Sequence, residues 1–337
     1  MNATMPLEKT KHYPVMLNQV LSIISPQRGG TYIDCTFGGG GYSKAILKFP
    51  KTKVIAIDRD KLTKKHAENI EKEFPSRFSF FEEKFSNINK VVKNQLNPKA
   101  IIFDLGLSSF QLSDQKRGFS FESTNSLNME MGINEYTAYD VINKIDKEYL
   151  ADIIKFLGDE KDGKIIANKI DKHRSRKPIQ TSKELSSIIN SAKKNYNKYK
   201  KNPSTKTFQA IRIFVNQELT QLIEGLIEAT KLLSEGGLLI VISFHSLEDR
   251  IVKNFFKLHS NLKRNPSRYF PITDNKTTLF NLNFNKHMSP EKDEVKENTR
   301  SRSAKLRYAE RNNNPFFYPT DFKKQFLNYL KFEDIRI

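Results

Sequence analysis

Two acids and a run of glycines have the spacing to do chemistry. Asp34 is followed by Gly38-Gly39-Gly40-Gly41, and Asp58 stands 20 residues after Gly38. Glycines let a backbone turn tightly and come close to a ligand. An acid at that later position can accept hydrogen bonds from both hydroxyls of a ribose, each worth about 1.5–3 kcal/mol when charge-assisted. A third acid, Asp104, opens the run Asp104-Leu105-Gly106-Leu107-Ser108-Ser109-Phe110-Gln111-Leu112. It could hold a cofactor or orient an acceptor amine, and Gln111 could read an adenine or a base edge. The plain alternative, a strand-end aspartate capping the next turn, stays open from spacing alone.

These residues need strands to end where they stand. Thr31–Thr36, Val54–Asp58, Phe78–Phe81, Ala100–Leu105 and Leu238–Ser243 read as strands. The second is apolar enough to be buried on both faces. Ser43–Phe49 and Lys61–Phe74 read as helices between them. Such alternation predicts an α/β fold with a parallel, doubly wound sheet, whose ligands bind beyond the carboxyl ends of the strands. From about Tyr136 to Lys201 the signals are helical only. Leu150, Ile153, Ile154 and Leu157 share one helical face, and Thr181-Ser182-Lys183-Glu184 reads as a capping box. Lys193 to Lys201 reads as a solvated loop. Phe208–Leu233 reads as one long helix closed by Gly236-Gly237, and His245 or Ser246 starts another. Residues 261–298 read as a long loop. The expected organisation is a first sheet segment over 1–134, a helical insertion over 135–205 and a second sheet segment over 206–337.

Composition narrows the class. Of 337 residues, 37% are hydrophobic and 28% charged, and no apolar run approaches the length of a membrane helix. The first eleven residues lack the apolar core of a signal peptide, so a cytoplasmic protein is expected. Cys35 is the one cysteine, which excludes an intrachain disulfide and any zinc site built on two thiolates. The six histidines show no i, i+4 pair, and no metal site is assigned. Lys and Arg number 57 against 38 acids, a formal charge of +19. That excess attracts polyanions, although a lysine-rich codon bias would also produce it.

The glycine loop departs from the dinucleotide fingerprint. Position 43 after Gly40 is serine, and position 44 after Gly41 is lysine, so the third glycine is missing. S-adenosylmethionine has no pyrophosphate to seat, and Asp34 suits its positive charges. The expected cofactor is therefore S-adenosylmethionine rather than a nicotinamide dinucleotide.

Several longer runs carry a resemblance. They are His12-Tyr13-Pro14-Val15-Met16-Leu17, Asp34 to Gly41, Ile57-Asp58-Arg59-Asp60, Asp104 to Leu112 and Arg117-Gly118-Phe119-Ser120-Phe121. Thr207 to Ile213 with Val215-Asn216, Ser243 to Arg250, and Arg300 to Arg307 complete the set. By these runs the chain resembles the RsmH (MraW) family, which methylates N4 of a cytidine in the decoding region of bacterial small-subunit rRNA. The resemblance implies a Rossmann-like, class I S-adenosylmethionine-dependent methyltransferase sheet with an all-helical insertion that grips substrate. It implies cofactor contacts at Gly40, Gly41, Tyr42, Asp58, Phe85, Asp104 and Gln111. It implies 16S rRNA within the small subunit as partner. The chain departs from the pattern at Tyr42, where the family has His, at Asn128 and Glu130 within Leu127–Met131, and at Thr299. Monomer and homodimer both stay open.

The amino-methyltransferase signature Asp/Asn-Pro-Pro-Tyr/Phe is absent, and Asp104-Leu105-Gly106-Leu107 stands in its place. Asp104, helped by Ser108 or Ser109, is the expected amine-orienting group. His245 reads as a strand-end histidine, since no nucleophile elbow surrounds Ser246. Arg300, Arg302, Lys305 and Arg307 read as a phosphate-clamping cluster. A non-catalytic assembly factor that binds the same cofactor is the alternative.

Overall fold

The computed structural model describes residues 14–92, 96–193, 202–260, 277–282, 286–333 and 335–337. His12 and Tyr13, most of the lysine-rich loop and residues 261–276 and 283–285 lie outside them. In chain order the elements begin with α1 (Leu17–Ile24), β1 (Gly30–Asp34), α2 (Gly41–Leu47) and β2 (Thr52–Asp58). Next come α3 (Lys64–Glu73), β3 (Phe78–Glu82), α4 (Ile88–Val91) and β4 (Ala100–Asp104). The helices α5 (Ser109–Ser113), α6 (Ala138–Lys144), α7 (Lys147–Leu157), α8 (Gly163–Arg174), α9 (Ser182–Ala192) and α10 (Thr205–Asn216) follow. Then come α11 (Glu218–Leu232), β5 (Leu238–Ser243), α12 (Ser246–Leu258), β6 (Phe280–Asn281) and α13 (Lys292–Glu297). The chain closes with β7 (Lys305–Arg311), α14 (Thr320–Lys324) and α15 (Leu327–Glu333).

Two compact units result. The first joins residues 1–106 and 222–323, the second 107–221 and 324–337. The helical unit is thus larger than the 135–205 expected from periodicity. It begins directly after the fourth strand and takes in the C-terminal helix. Residues 107–134 carry no long periodic run, so their helical partners could not be read from spacing.

The first unit is a seven-stranded sheet of order β3-β2-β1-β4-β5-β7-β6. The first five strands are parallel, and β7 runs antiparallel to β5 and β6. Register fixes which residues share a face, because side chains alternate along a strand. Asp34 stands opposite Ala56 on β2 and Ile102 on β4. Asp58 and Asp104 lie two residues beyond those partners, so all three acids leave the same face at the carboxyl edge. Deeper on that face Tyr32, Val54, Ala56, Ala100, Ile102, Ile240 and Ile242 pack under Val20, Leu21, Ile46 and Leu47 of α1 and α2. The rigid apolar layer therefore sits directly below the acids.

The second unit is helical. Leu150, Ile153, Ile154 and Leu157 form the buried face of α7 as their spacing predicts. The long helix expected over Phe208–Leu233 is broken. Gln217 adopts φ 51°, separating α10 from α11. The buried amide of Asn216 explains the stop. Its Nδ2 donates to Met129 O at 2.9 Å, and its Oδ1 accepts from Met131 N at 2.8 Å. Arg212 then reaches across the break and holds Glu218 through two 2.8 Å bonds. In the same unit Asn128 Oδ1 accepts from Glu130 N at 2.9 Å. An aspartate would offer the same acceptor, so the departure at position 128 leaves this turn intact. At Thr181 the hydroxyl accepts Glu184 N at 3.1 Å, while Glu184 reaches back to Gln180 N rather than to Thr181.

The C-terminal helix caps α11. Glu333 is buried, and its carboxylate accepts from Leu219 N at 3.0 Å and Thr220 N at 2.8 Å. Burial raises its pKa from the usual 4.5 to about 7, against these bonds, which pull it down. A folded value above the unfolded one means the contribution is present below about 4.5 and lost as pH rises through about 7. The rise corresponds to at most about 3 kcal/mol. Thermal midpoints are therefore expected to fall between about pH 4.5 and 7 and to level off above it, and Glu333→Gln should flatten that fall. Equal slopes in the two proteins would refute the assignment.

Candidate active site

The glycine loop is held by the two acids that flank it. Asp34 Oδ2 accepts from Ser43 Oγ at 2.7 Å, and its Oδ1 accepts from Thr36 N at 3.3 Å. Asp58 Oδ2 accepts from Gly38 N at 2.7 Å, and its Oδ1 accepts from Asp60 N at 2.8 Å. Each carboxylate oxygen has a second lone pair, so Asp58 keeps acceptor capacity for a ribose. Gly40 has φ 77°, and a Cβ there would lie 2.5 Å from Ile70 Cδ1. Only glycine fits, which explains how the loop reaches the strand ends. A side chain at Gly41 would run into the ring of Pro14.

Tyr42 is a core residue by its side chain. The ring is buried and its hydroxyl donates to Val15 O. A ligand contact at position 42 therefore falls to the backbone, which the exchange of His for Tyr leaves unchanged. Sequence reasoning did not reach this link between the N-terminal segment and the loop.

Asp104 closes β4. Its N–H donates to Thr36 Oγ1 at 2.7 Å, which ties β4 to the loop after β1. Its Oδ1 is buried and has no hydrogen-bond partner among the described residues. Burial comes first in pushing its pKa well up, and the charges of Asp34, Glu248 and Glu294 add to it. Asp34 and Asp58 are each raised to about 6, again chiefly by burial. An orphaned buried carboxylate oxygen among like charges is costly unless a cation or donor completes it. This edge is therefore built for a ligand that brings positive charge and hydroxyl donors. A sulfonium nucleoside with an amino-acid tail has both.

Phe85 follows β3 in a 3-10 turn, half-buried. Its ring meets Phe103 edge-on at 5.3 Å, and Gly225 of α11 makes room for it. Phe103 precedes Asp104, so this contact lies on the sheet face opposite the acids. Ser108 and Gln111 belong to the helical unit and satisfy each other. Ser108 Oγ accepts Gln111 N at 3.2 Å, and Gln111 Oε1 accepts Ser108 N at 2.9 Å, a capping box on α5. The side chain of Ser109 lies outside the described residues. The structure thus gathers Gly40, Gly41, Tyr42, Asp58 and Asp104 in one unit and spends Ser108 and Gln111 on each other.

His245 caps α12, with Nδ1 3.4 Å from Glu248 N and Nε2 3.1 Å from Glu248 Oε1. That is the strand-end role the sequence suggests. The basic cluster is not a loose tail. Lys305 and Arg307 stand on β7 and pair with Asp249 at 2.9 and 2.7 Å, while Arg300 and Arg302 are exposed on the preceding 3-10 turn.

A parallel sheet with an antiparallel seventh strand inserted beside β5, and acids ending β1, β2 and β4, is a Rossmann-like sheet of the class I, S-adenosylmethionine-dependent methyltransferases. The chain belongs to the MraW methylase family, whose profile matches residues 9–312. It is 43% identical over 300 residues to the ribosomal RNA small subunit methyltransferase H of Ehrlichia chaffeensis, covering 88% of this chain and 98% of that one. It is 44% identical over 303 residues to the protein of the same name from a Wolbachia of Drosophila simulans, covering 89% and 99%. An rRNA methylase structure from Streptococcus thermophilus is 10% identical at a TM-score of 0.39, covering 91% and 100%. A Streptococcus mutans protein crystallised in complex with SAH is 13% identical at 0.38, covering 90% and 99%. Superpositions this loose bear on neither fold nor site. Among the described residues no helix is long and apolar enough to cross a membrane.

Proposed function

We propose that this chain methylates N4 of a cytidine in the decoding region of 16S rRNA, in the cytoplasm. The Oδ1 of Asp104, buried at the end of β4 and unpartnered among the described residues, is the observation that carries the reading. When bound, S-adenosylmethionine supplies a methyl group on a positively charged sulfur. Gly40, Gly41 and the backbone at Tyr42 give the close approach, and Asp58 accepts from the ribose hydroxyls. Asp34 holds the loop through Ser43.

The exocyclic amine of cytosine is a poor nucleophile, because its lone pair is delocalised into the ring. Asp104 accepts one N4 hydrogen, localises that pair, and takes the proton released as the nitrogen gains its methyl group. Burial, and after it the neighbouring negative charges, make its carboxylate a stronger base than an exposed aspartate.

The relatives named above support rRNA of the small subunit as substrate, and the charge of +19 suits a polyanion. A base must leave its stack to be methylated, at a cost of a few kcal/mol that an assembled subunit can offset. Labelled cofactor offered with small subunits and with deproteinised rRNA tests this. Incorporation into subunits is expected; none into either would return the chain to the role of a non-catalytic assembly factor.

The exposed arginines are assigned to phosphate contact. Arg300→Gln with Arg302→Gln should weaken RNA binding and lower the steepness of its salt dependence by about two phosphate contacts. Lys305 and Arg307, already paired with Asp249, should contribute less. An unchanged salt slope in the double variant would remove the clamp.

A further inference from the structure

The acid Glu294 lies in a part of the chain that periodicity reads as loop, yet α13 brings it to the cofactor edge. Its Oε1 accepts from the N–H of Met16 at 2.8 Å. Met16 sits in the left-handed region at φ 56°, and the segment it ends is the one that covers the glycine loop. Pro14 fills the space over Gly41, and Val15 O receives the hydroxyl of Tyr42. A second bond, Gln19 Nε2 to Glu291 Oε1 at 3.3 Å, joins α1 and the N-cap residue of α13. Glu294 is half-buried, and its charge acts on both Tyr42 and Asp104. Its own neighbours Glu291 and Asp104 are acids.

We infer that Glu294 is a positioning residue of the cofactor cleft, which clamps the Pro14–Met16 segment over the glycine loop and favours the cationic sulfonium cofactor over its neutral thioether product. Methyl transfer leaves the sulfur as an uncharged thioether, with the bonding pair that held the methyl group. A negative charge beside the cleft therefore holds the cofactor before transfer and loses its grip afterwards. Charge and clamp are separable, because Glu294→Gln keeps an oxygen for Met16 N–H and removes only the charge. Glu294→Ala removes both.

Calorimetric titration of the full chain with S-adenosylmethionine and with S-adenosylhomocysteine reads the two roles without turnover. For Glu294→Gln the sulfonium should bind about 5- to 10-fold more weakly at low salt, and the thioether within twofold of wild type. For Glu294→Ala both should weaken, the sulfonium more. Glu291→Gln removes an exposed charge from the same helix and should leave the ratio of the two affinities unchanged. A Glu294→Gln protein that binds both ligands as wild type does, or weakens both alike, would overturn the inference. Failure of the wild-type chain to bind S-adenosylmethionine at all would instead overturn the cofactor assignment on which it rests.

Discussion

Asp104→Asn is expected to lower the rate of methyl transfer at saturating cofactor by about 10²- to 10³-fold. The asparagine can still accept a hydrogen bond, but it cannot take a proton. Asp104→Ala should abolish transfer, because it removes acceptor and base together. Loss of fold would not explain either result. The wild-type carboxyl is buried, unpartnered at Oδ1 and held well above the ordinary carboxylate range. Removing it relieves a cost rather than breaking a bond of its side chain. Thermal midpoints of both variants should therefore equal or exceed wild type. Turnover within a few-fold of wild type would mean that another group serves the amine.

Asp58→Ala should weaken S-adenosylmethionine binding by at least about 10²-fold. Two charge-assisted bonds to ribose hydroxyls at about 1.5–3 kcal/mol each set that scale. The same change also strips acceptors from Gly38 N and Asp60 N, so the glycine loop loses its anchor to β2. Asp58→Asn should fall between the two. The carboxylate also predicts how affinity varies with pH. Asp58 and Asp34 are raised to about 6, chiefly by burial. The ligand's positive charge and hydroxyl donors favour the ionised forms, so protons compete with it at lower pH. Affinity should be level above about pH 7 and fall as pH drops through about 6. A binding constant independent of pH between 5 and 8 would contradict the ionised state assigned to these acids.

The parallel half of the sheet is legible in the sequence because its strands are short apolar runs that end in acids. Val54–Asp58 and Ala100–Asp104 are bounded by their own chemistry, and the register that aligns Asp34, Asp58 and Asp104 on one face follows from the parallel pairing. The antiparallel edge escaped for a different reason. Lys305 to Arg311 alternates polar and apolar residues as a half-buried strand should, but its bases drew it into a charge reading instead. The break at Gln217 is invisible to periodicity, since apolar spacing continues across it. A buried asparagine bonded to a segment more than eighty residues away decides it. Glu294 escaped because its partner, the N–H of Met16, is 278 residues distant. Of the candidate site, the acids carried their own signal, whereas the mutual capping of Ser108 and Gln111 is set by the local fold of α5.

Mass-spectrometric mapping of the methylated nucleotide tests the account at its centre. Small subunits lacking the modification would be incubated with this chain and isotopically labelled S-adenosylmethionine, and their rRNA digested to oligonucleotides to place the label and then to nucleosides to identify the methylated atom. Label on the N4 nitrogen of one cytidine in the decoding region is the predicted result. Label on a ring carbon, on a ribose oxygen or on no nucleotide would contradict it.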